Sequence, residues 1–174
     1  MRNKSLKFIS VLLLLAMVLS GCSQPATETA ETTEAATTEA AAATNEMKYV
    51  TPEDLKADIE GNTGEYVVLD VRKIADYDTA HIDGSISADL DAAKEGDDED
   101  GKAKLKAALK EATGDEAGKE GTKYALVCYS GKSYAQKGTD LLIDLGVPAD
   151  SIFTLEGGVK AWEDKGDDYK SLMK

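Results

Sequence analysis

Short apolar runs alternate with helical patterns along most of this chain. The runs Tyr66–Leu69 and Tyr124–Val127 are continuous, which is typical of strands buried on both faces. Two shorter strands are predicted near Ser85–Ser87 and at Ile152–Thr154, each bounded by turn residues. These runs supply the strands of a predicted sheet.

Helical patterns fill the intervals between the strands. Thr51 followed by Pro52 predicts a helix start, because threonine caps a helix and proline fits its first position. Further helices are predicted at Ile74–Ala80, at Lys102–Ala112, over about twelve residues ending at Gly146, and at Val159–Lys165. Strands that alternate with helices predict an α/β domain with a mainly parallel central sheet.

Residues 1–21 have the pattern of an export signal. Three basic residues precede the apolar run Phe8–Leu19, which is too short for a spanning helix but suits a signal peptide. The run ends at Leu19–Cys22, which resembles the lipobox of bacterial lipoproteins and implies cleavage before Cys22 and lipid attachment (palmitate among the acyl groups) to it. The alternative is an ordinary signal peptide that leaves Cys22 as a thiol.

The amino-acid composition differs between a predicted linker and a predicted folded domain. Residues 22–47 consist mostly of Thr, Glu and Ala, which bury too little apolar area to fold, so a disordered linker is predicted. Residues 48–174 are long enough for one domain with one core. The net charge is −13, and removal of the three basic signal residues leaves 17 Lys+Arg against 33 Asp+Glu, or −16. This acidity excludes nucleic acid as a partner and leaves the lipid as the predicted attachment to the extracytoplasmic face of the membrane.

Cys128 follows the run Tyr124–Val127 directly and precedes a small-residue turn that leads into a helix. The thiolate is the nucleophilic form of cysteine, and a helix N-terminus and backbone N–H groups favour that anion. Once Cys22 is lipidated, Cys128 is the single free thiol, and no intramolecular disulfide forms. The thiol is therefore either a buried inert side chain or a reactive nucleophile.

Several motifs together resemble the rhodanese domain family, from about Val50 to Gly166. They occur in family order: Val68–Arg72, Tyr77, Ala80–Ile86, Cys128–Gly131, Leu155–Gly158, and Ala161 with Trp162. The resemblance implies a three-layer α/β fold, interrupted here by an acidic insert at about 91–122. It also implies sulfur transfer, in which Cys128 takes sulfane sulfur from a donor, holds it as a persulfide and passes it to a thiol or to cyanide.

The resemblance implies an active-site loop after Cys128. Its backbone N–H groups are expected to surround the sulfur, Gly131 to allow the tight curl, and the Ser130 and Ser133 hydroxyls to add hydrogen bonds. The expected loop residues are Tyr129, Ser130, Gly131, Lys132, Ser133 and Tyr134.

This loop departs from the family pattern at Ser133. Many active members carry an arginine there that holds an anionic donor such as thiosulfate, and the nearest cation here is Lys132. One charge-assisted contact is worth about 1.5–3 kcal/mol, so a persulfide or polysulfide donor is as plausible as thiosulfate. Related phosphatases need an arginine clamp for the phosphate, and the loop has none, so phosphatase activity is disfavoured.

Other residues have two interpretations. Asp70 and Arg72 either orient the cysteine loop and present a charge at its mouth, or form a structural pair, which we favour. His81 is interpreted as part of a structural turn rather than as a general base. The run Asp97–Gly101 fails the EF-hand template at positions one and twelve, so a solvated loop is predicted, with no metal and no cofactor.

Two functional hypotheses remain. The first is a membrane-anchored sulfurtransferase, which the intact loop cysteine favours. The second is a sulfur-carrier or protein-docking module without turnover, which the missing arginine, the acidic insert and the long tether favour. The sequence names no partner protein.

Overall fold

The computed structural model describes residues 45–174. The predicted signal at 1–21, the lipidation site Cys22 and the linker up to residue 44 lie outside the described residues. Within the described range, no helix has both the length and the apolarity needed to cross a membrane.

A five-stranded sheet forms the centre of the domain, and its strand order is β1-β5-β4-β2-β3. Every pairing in this sheet is parallel, as predicted. The strands are β1 Lys48–Val50, β2 Tyr66–Asp70, β3 Ile86–Ser87, β4 Lys123–Val127 and β5 Ile152–Leu155. Because all strands run the same way, their carboxyl ends meet at one edge of the sheet.

The described domain contains seven α-helices, of which the first five lie between the strands and the last two follow β5. They are α1 Pro52–Gly61, α2 Ile74–Thr79, α3 Asp91–Lys94, α4 Asp98–Thr113, α5 Ser133–Asp144, α6 Gly158–Asp164 and α7 Asp167–Lys170. Thr51 caps α1 by accepting a hydrogen bond from the Asp54 N–H at 3.1 Å, as its position predicts. Gly146 follows the end of α5 with a φ of 93°, the conformation expected after a helix C-terminus.

Two apolar layers cover the two faces of the sheet. Helices α3, α4 and α5 pack on one face, and α1, α6 and α7 on the other. Strand β4 contributes to both layers in alternation: Tyr124, Leu126 and the adjacent Cys128 face the first layer, and Ala125 and Val127 the second. The prediction of a central strand buried on both faces is confirmed.

Helix α4 begins at Asp98, four residues before the predicted start at Lys102. Asp97 is its N-cap, and the Asp97 carboxylate accepts a hydrogen bond from the Asp100 N–H at 3.1 Å. The prediction of a solvated loop over Asp97–Gly101 is therefore wrong. Acidic side chains in a first helical turn are stabilised by the helix dipole, so the acidic run starts the helix.

The acidic segment also packs into the domain core. Leu105, Ala108 and Leu109 of α4 are buried in the first layer. The Cα of Gly101 lies so close to α5 that an added Cβ would approach the Leu141 side chain to 2.8 Å. The segment that was predicted as an insert into the family pattern therefore forms part of the core.

Strand β1 and helices α3 and α7 have no counterpart in the sequence predictions. Strand β1 contains three residues, two of them exposed, so it has no apolar periodicity and forms by pairing with β5. Helix α7 follows the predicted last helix, and the Tyr169 carbonyl accepts a hydrogen bond from the Trp162 indole N–H at 2.9 Å. Strand β1 therefore depends on a strand that is distant in the sequence, and α7 is held by its contact with the preceding helix.

Candidate active site

Cys128 lies directly after β4, at the edge of the sheet where the carboxyl ends of the strands meet. It carries a free thiol and is 2 % exposed. Asp70 ends β2 at the same edge, since its Cα is in register with Val127. The fold therefore brings Cys128 and Asp70 together, as the sequence predicts for a site at this edge.

The segment after Cys128 turns sharply before it enters α5. Gly131 has a φ of 67°, and Lys132 has an unusual backbone conformation with φ −127° and ψ −116°. The first hydrogen bond of α5 runs from the Gln136 N–H to the Lys132 carbonyl at 2.8 Å. In residues 45–174, the backbone N–H groups of residues 130–135 contact no acceptor. They are available to bind an anion at the helix N-terminus.

The turn between β5 and α6 closes one side of this cysteine loop (residues 128–133). The Val159 N–H donates to the Cys128 carbonyl at 2.8 Å, and the Lys160 N–H donates to the Tyr129 carbonyl at 3.2 Å. A Cβ on Gly158 would lie 2.3 Å from the Cys128 carbonyl oxygen. The Gly157–Gly158 turn therefore fixes the loop through backbone contacts that need glycine.

Asp70 and Arg72 form a buried, bidentate ion pair. The Arg72 Nε and Nη2 donate to the Asp70 carboxylate at 3.0 and 2.7 Å, and Nη2 also donates to the Ala80 carbonyl at 2.7 Å. Burial alone would lower the pKa of Arg72, but the hydrogen bonds and charge of Asp70 outweigh it and raise that pKa. These contacts match the interpretation of a structural pair that joins β2 to the end of α2.

Tyr129 and Tyr134 flank the cysteine loop and connect it to neighbouring helices. The Tyr129 hydroxyl donates to the Asp76 carboxylate of α2 and accepts from the Lys73 N–H at 3.3 Å. The Tyr134 hydroxyl donates to the Asp91 carboxylate of α3 at 2.7 Å. The two rings contact edge to face, with centroids 5.3 Å apart.

The tyrosine hydroxyls keep their protons at neutral pH. Burial, with the hydrogen bond to Asp76, raises the pKa of Tyr129 to about 12. Burial and the hydrogen bond to Asp91 also raise the pKa of Tyr134 well above its ordinary value. Both hydroxyls therefore act as hydrogen-bond donors to carboxylates and not as bases.

The remaining residues of the loop differ in their exposure to solvent. Ser130, Lys132 and Ser133 are exposed, and Gly131 is buried beneath the β5–α6 turn. Lys132 forms no ion pair within the described part of the chain, so it is the available cation of the loop. Two open depressions elsewhere lie along α1 and the start of β2, and no loop residue lines either of them.

His81 contacts Tyr77 and the C-terminal segment. Its ring stacks on Tyr77 with centroids 3.9 Å apart, and its Nδ1 lies 2.9 Å from the Tyr77 carbonyl oxygen. Its backbone exchanges hydrogen bonds with Lys174 at 2.9 and 2.8 Å. These contacts account for His81 as part of the turn that holds the C-terminal segment.

Sequence reasoning missed the acidic partners of the two tyrosines, Asp76 and Asp91. They precede Tyr129 and Tyr134 by 53 and 43 residues. Each belongs to a different helix, and no local pattern distinguishes them from the many other acidic residues of the chain. The folded arrangement alone assigns them to the site.

The fold and the loop geometry agree with a family comparison. Residues 51–165 match the model of the rhodanese-like domain. This chain belongs to the rhodanese-like domain family. None of the curated proteins is similar enough to this chain to count as a relative.

Two solved structures are similar in fold to this rhodanese-like domain. The NMR structure of a rhodanese-like domain from Anabaena has a TM-score of 0.52 and 18% identity, covering 74% of this chain and 80% of that chain. A crystal structure of the Anabaena protein has a TM-score of 0.50 and 20% identity, covering 67% of this chain and 78% of that chain. At these identities the likeness establishes the fold alone.

Proposed function

We propose that this rhodanese-like protein is an extracytoplasmic, lipid-anchored sulfurtransferase in which Cys128 carries sulfane sulfur as a persulfide. The observation that carries the proposal is the cysteine loop itself. Cys128 begins a loop at a helix N-terminus whose N–H groups at residues 130–135 contact no acceptor within residues 45–174. Such a cradle stabilises an anionic sulfur by hydrogen bonds and by the helix dipole.

The proposed reaction has two sulfur-transfer steps. The Cys128 thiolate attacks the terminal sulfur of a donor, a new S–S bond forms, and the donor S–S bond breaks. With thiosulfate the leaving group is sulfite, and with an organic persulfide it is a thiolate. An acceptor then attacks the outer sulfur of the Cys128 persulfide, so that cyanide becomes thiocyanate and the Cys128 thiolate returns.

Intact mass spectrometry tests this proposal. After incubation with a sulfane donor, the protein is expected to gain the mass of one sulfur atom on Cys128 and to release thiocyanate when cyanide is added. A Cys128→Ser variant keeps the fold but removes the nucleophile, so both signals are expected to fall to background.

A Cys22→Ser variant is the matched control, because it removes the other cysteine of the chain. It is expected to retain sulfur loading and thiocyanate release. Equal turnover by the Cys128→Ser variant would overturn the proposed chemistry.

The membrane anchor rests on the motif at Leu19–Cys22 and needs its own test. Cells that express the protein are grown with labelled palmitate, and the label is expected in the membrane fraction on the mature protein. Cys22→Ser is expected to lose the label, whereas Cys128→Ser is expected to keep it. Label retained by Cys22→Ser would contradict the anchor.

Burial of the thiol favours a second candidate, a sulfur carrier or docking module without turnover. Cys128 is 2 % exposed, so little of the residue is open to an acceptor. A stable partner complex that survives Cys128→Ala, together with single-turnover loading and no release to cyanide, would support this module. Release of thiocyanate over many turnovers would exclude it.

A further inference from the structure

An exposed aliphatic side chain lies next to the cysteine loop. Ile74 is 48 % exposed, and within residues 45–174 it and Tyr49 are the large hydrophobic side chains that face solvent. Its neighbour Lys73 donates its N–H to the Tyr129 hydroxyl at 3.3 Å, and the Ile74 N–H donates to the Asp89 carboxylate at 3.0 Å. The start of α2 is therefore held against the loop with Ile74 facing solvent.

The aromatic part of this surface is fixed in place. Tyr129 and Tyr134 are half-buried and contact each other edge to face. Each hydroxyl is held by a carboxylate, Asp76 for Tyr129 and Asp91 for Tyr134. The polar end of each ring is already hydrogen-bonded, and a cation lies over part of each ring, with Arg72 Cζ 6.0 Å from the Tyr129 centroid. What remains for a ligand is the apolar ring surface that these groups leave open.

Most cations near the loop are already paired or stacked. Arg72 is bound to Asp70, and Lys73 Nζ lies 3.2 Å from Asp91 Oδ1. Lys94 Nζ lies 5.9 Å from the centroid of the Tyr134 ring. Within residues 45–174, Lys132 is the loop cation without an ion pair, and its compact single charge cannot replace the bidentate contact of an arginine with an oxyanion.

We propose that Tyr129, Tyr134 and Ile74 form a donor subsite that binds the apolar organic group of a sulfane-sulfur donor. This inference rests on the proposed sulfur transfer to Cys128. The preferred donor is an organic persulfide or thiosulfonate, whose carbon group stays on the rim while its slim terminal sulfur reaches the buried thiol. An inorganic dianion gains nothing from this apolar rim.

Two thiosulfonates isolate the contribution of the carbon group. Benzenethiosulfonate and methanethiosulfonate carry the same single charge and differ in the aromatic ring. In each case the Cys128 thiolate attacks the terminal sulfur, the S–S bond of the donor breaks, and a sulfinate leaves with the bonding electron pair. The purified full chain is expected to show about a five-fold higher kcat/KM for the benzene compound, the scale of one aromatic contact.

Variants of the donor subsite are expected to reduce this preference. Tyr129→Ser and Ile74→Ser are each expected to bring the ratio of the two kcat/KM values towards one. Tyr134→Phe keeps the ring and is expected to keep the ratio. Tyr49→Ser is the matched control, because Tyr49 is 50 % exposed on β1 at the far edge of the sheet.

A binding measurement separates this inference from the proposed function. Benzenesulfinate is expected to shift the NMR signals of Tyr129 and Tyr134 at lower concentration than methanesulfinate does. Equal effects of the two sulfinates, or equal kcat/KM values for the two donors, would overturn the donor subsite. Absence of sulfur transfer from any donor would overturn the proposed function instead, and the sulfinate titration would still decide the subsite.

Discussion

The shape of the cysteine loop depends directly on Gly158. It has a φ of 63°, and an added Cβ would lie 2.3 Å from the Cys128 carbonyl oxygen and 2.6 Å from the Ser130 nitrogen. Both neighbours are backbone atoms, so neither yields by rotating a side chain. A side chain at this position must displace the loop that holds the thiol.

Gly158→Ala is therefore expected to lower the stability of the domain more than a glycine-to-alanine change at another position with positive φ. The positive φ alone costs about 1–2 kcal/mol, and the collision with the loop adds to it. We expect a larger loss of unfolding free energy in urea, together with a strong loss of sulfur loading on Cys128.

Gly146→Ala is the matched control, because Gly146 has a φ of 93° but no atom within 4 Å of an added Cβ. The unfolding free energy of Gly146→Ala is expected to fall only by the cost of the backbone conformation, and sulfur loading is expected to be kept. Equal behaviour of the two variants would show that the β5–α6 turn does not constrain the loop.

At the scale of the elements, Asp58 fixes the connection between α1 and β2. Its side chain is buried and accepts the N–H groups of Glu65 at 2.8 Å and Tyr66 at 3.1 Å. The Thr63 hydroxyl also donates to it. This carboxylate thus supplies the acceptors that the tight connection needs before the strand begins.

The pKa of Asp58 predicts how the domain responds to acid. Burial alone would raise this pKa, but the Thr63 hydroxyl and the backbone N–H groups outweigh burial and lower it below the ordinary 3.8. A lowered folded-state pKa means that the stabilisation is complete above the unfolded-state value. This stabilisation is lost as the pH falls from the unfolded-state pKa through the lower folded-state pKa.

Asp58→Asn is expected to destabilise the domain by about 1–3 kcal/mol at neutral pH, because it breaks hydrogen bonds to buried groups. Urea unfolding from neutral pH to below 3.8 is expected to show a smaller acid-induced loss in this variant than in the wild type. Asp78→Asn, at an exposed position of α2, serves as the control. Identical pH dependence of Asp58→Asn and the wild type would exclude this role.

Over the whole chain, the formal net charge is −13, so the average field of the protein opposes the approach of anions. Such a field lowers the encounter rate of anionic reagents and is screened by salt. Arg72 does not offset it locally, since its charge is bound to Asp70. Anionic donors are therefore disadvantaged before they reach the loop.

Alkylation of Cys128 measures this field without any assumption about turnover. In a Cys22→Ser background, iodoacetamide is expected to react faster than iodoacetate at low salt, and the ratio is expected to fall by about two-fold or more as salt screens the field. Lys132→Gln is expected to enlarge the ratio. A ratio that rises with salt would mean that Lys132 dominates the local potential.

Several features of the fold follow from local sequence patterns. The runs at Tyr66 and Tyr124 predict the central strands, and Thr51 with Pro52 predicts the start of α1, all as observed. The order of strand, Cys128, small-residue turn and helix is also visible in the sequence. Such features depend on residues that are close along the chain, so propensity and periodicity are enough to reveal them.

The tertiary structure decided how these parts meet. It paired the exposed residues of β1 with β5, buried α4 in the core despite its acidic start, and brought Asp76 and Asp91 to the tyrosines of the loop. It also pressed Gly158 against the Cys128 carbonyl. Each of these contacts joins residues far apart along the chain, and its energy arises only when the sheet has assembled and brought them together. The sequence by itself therefore determined where the thiol lies along the chain, and the assembled sheet decided what surrounds it.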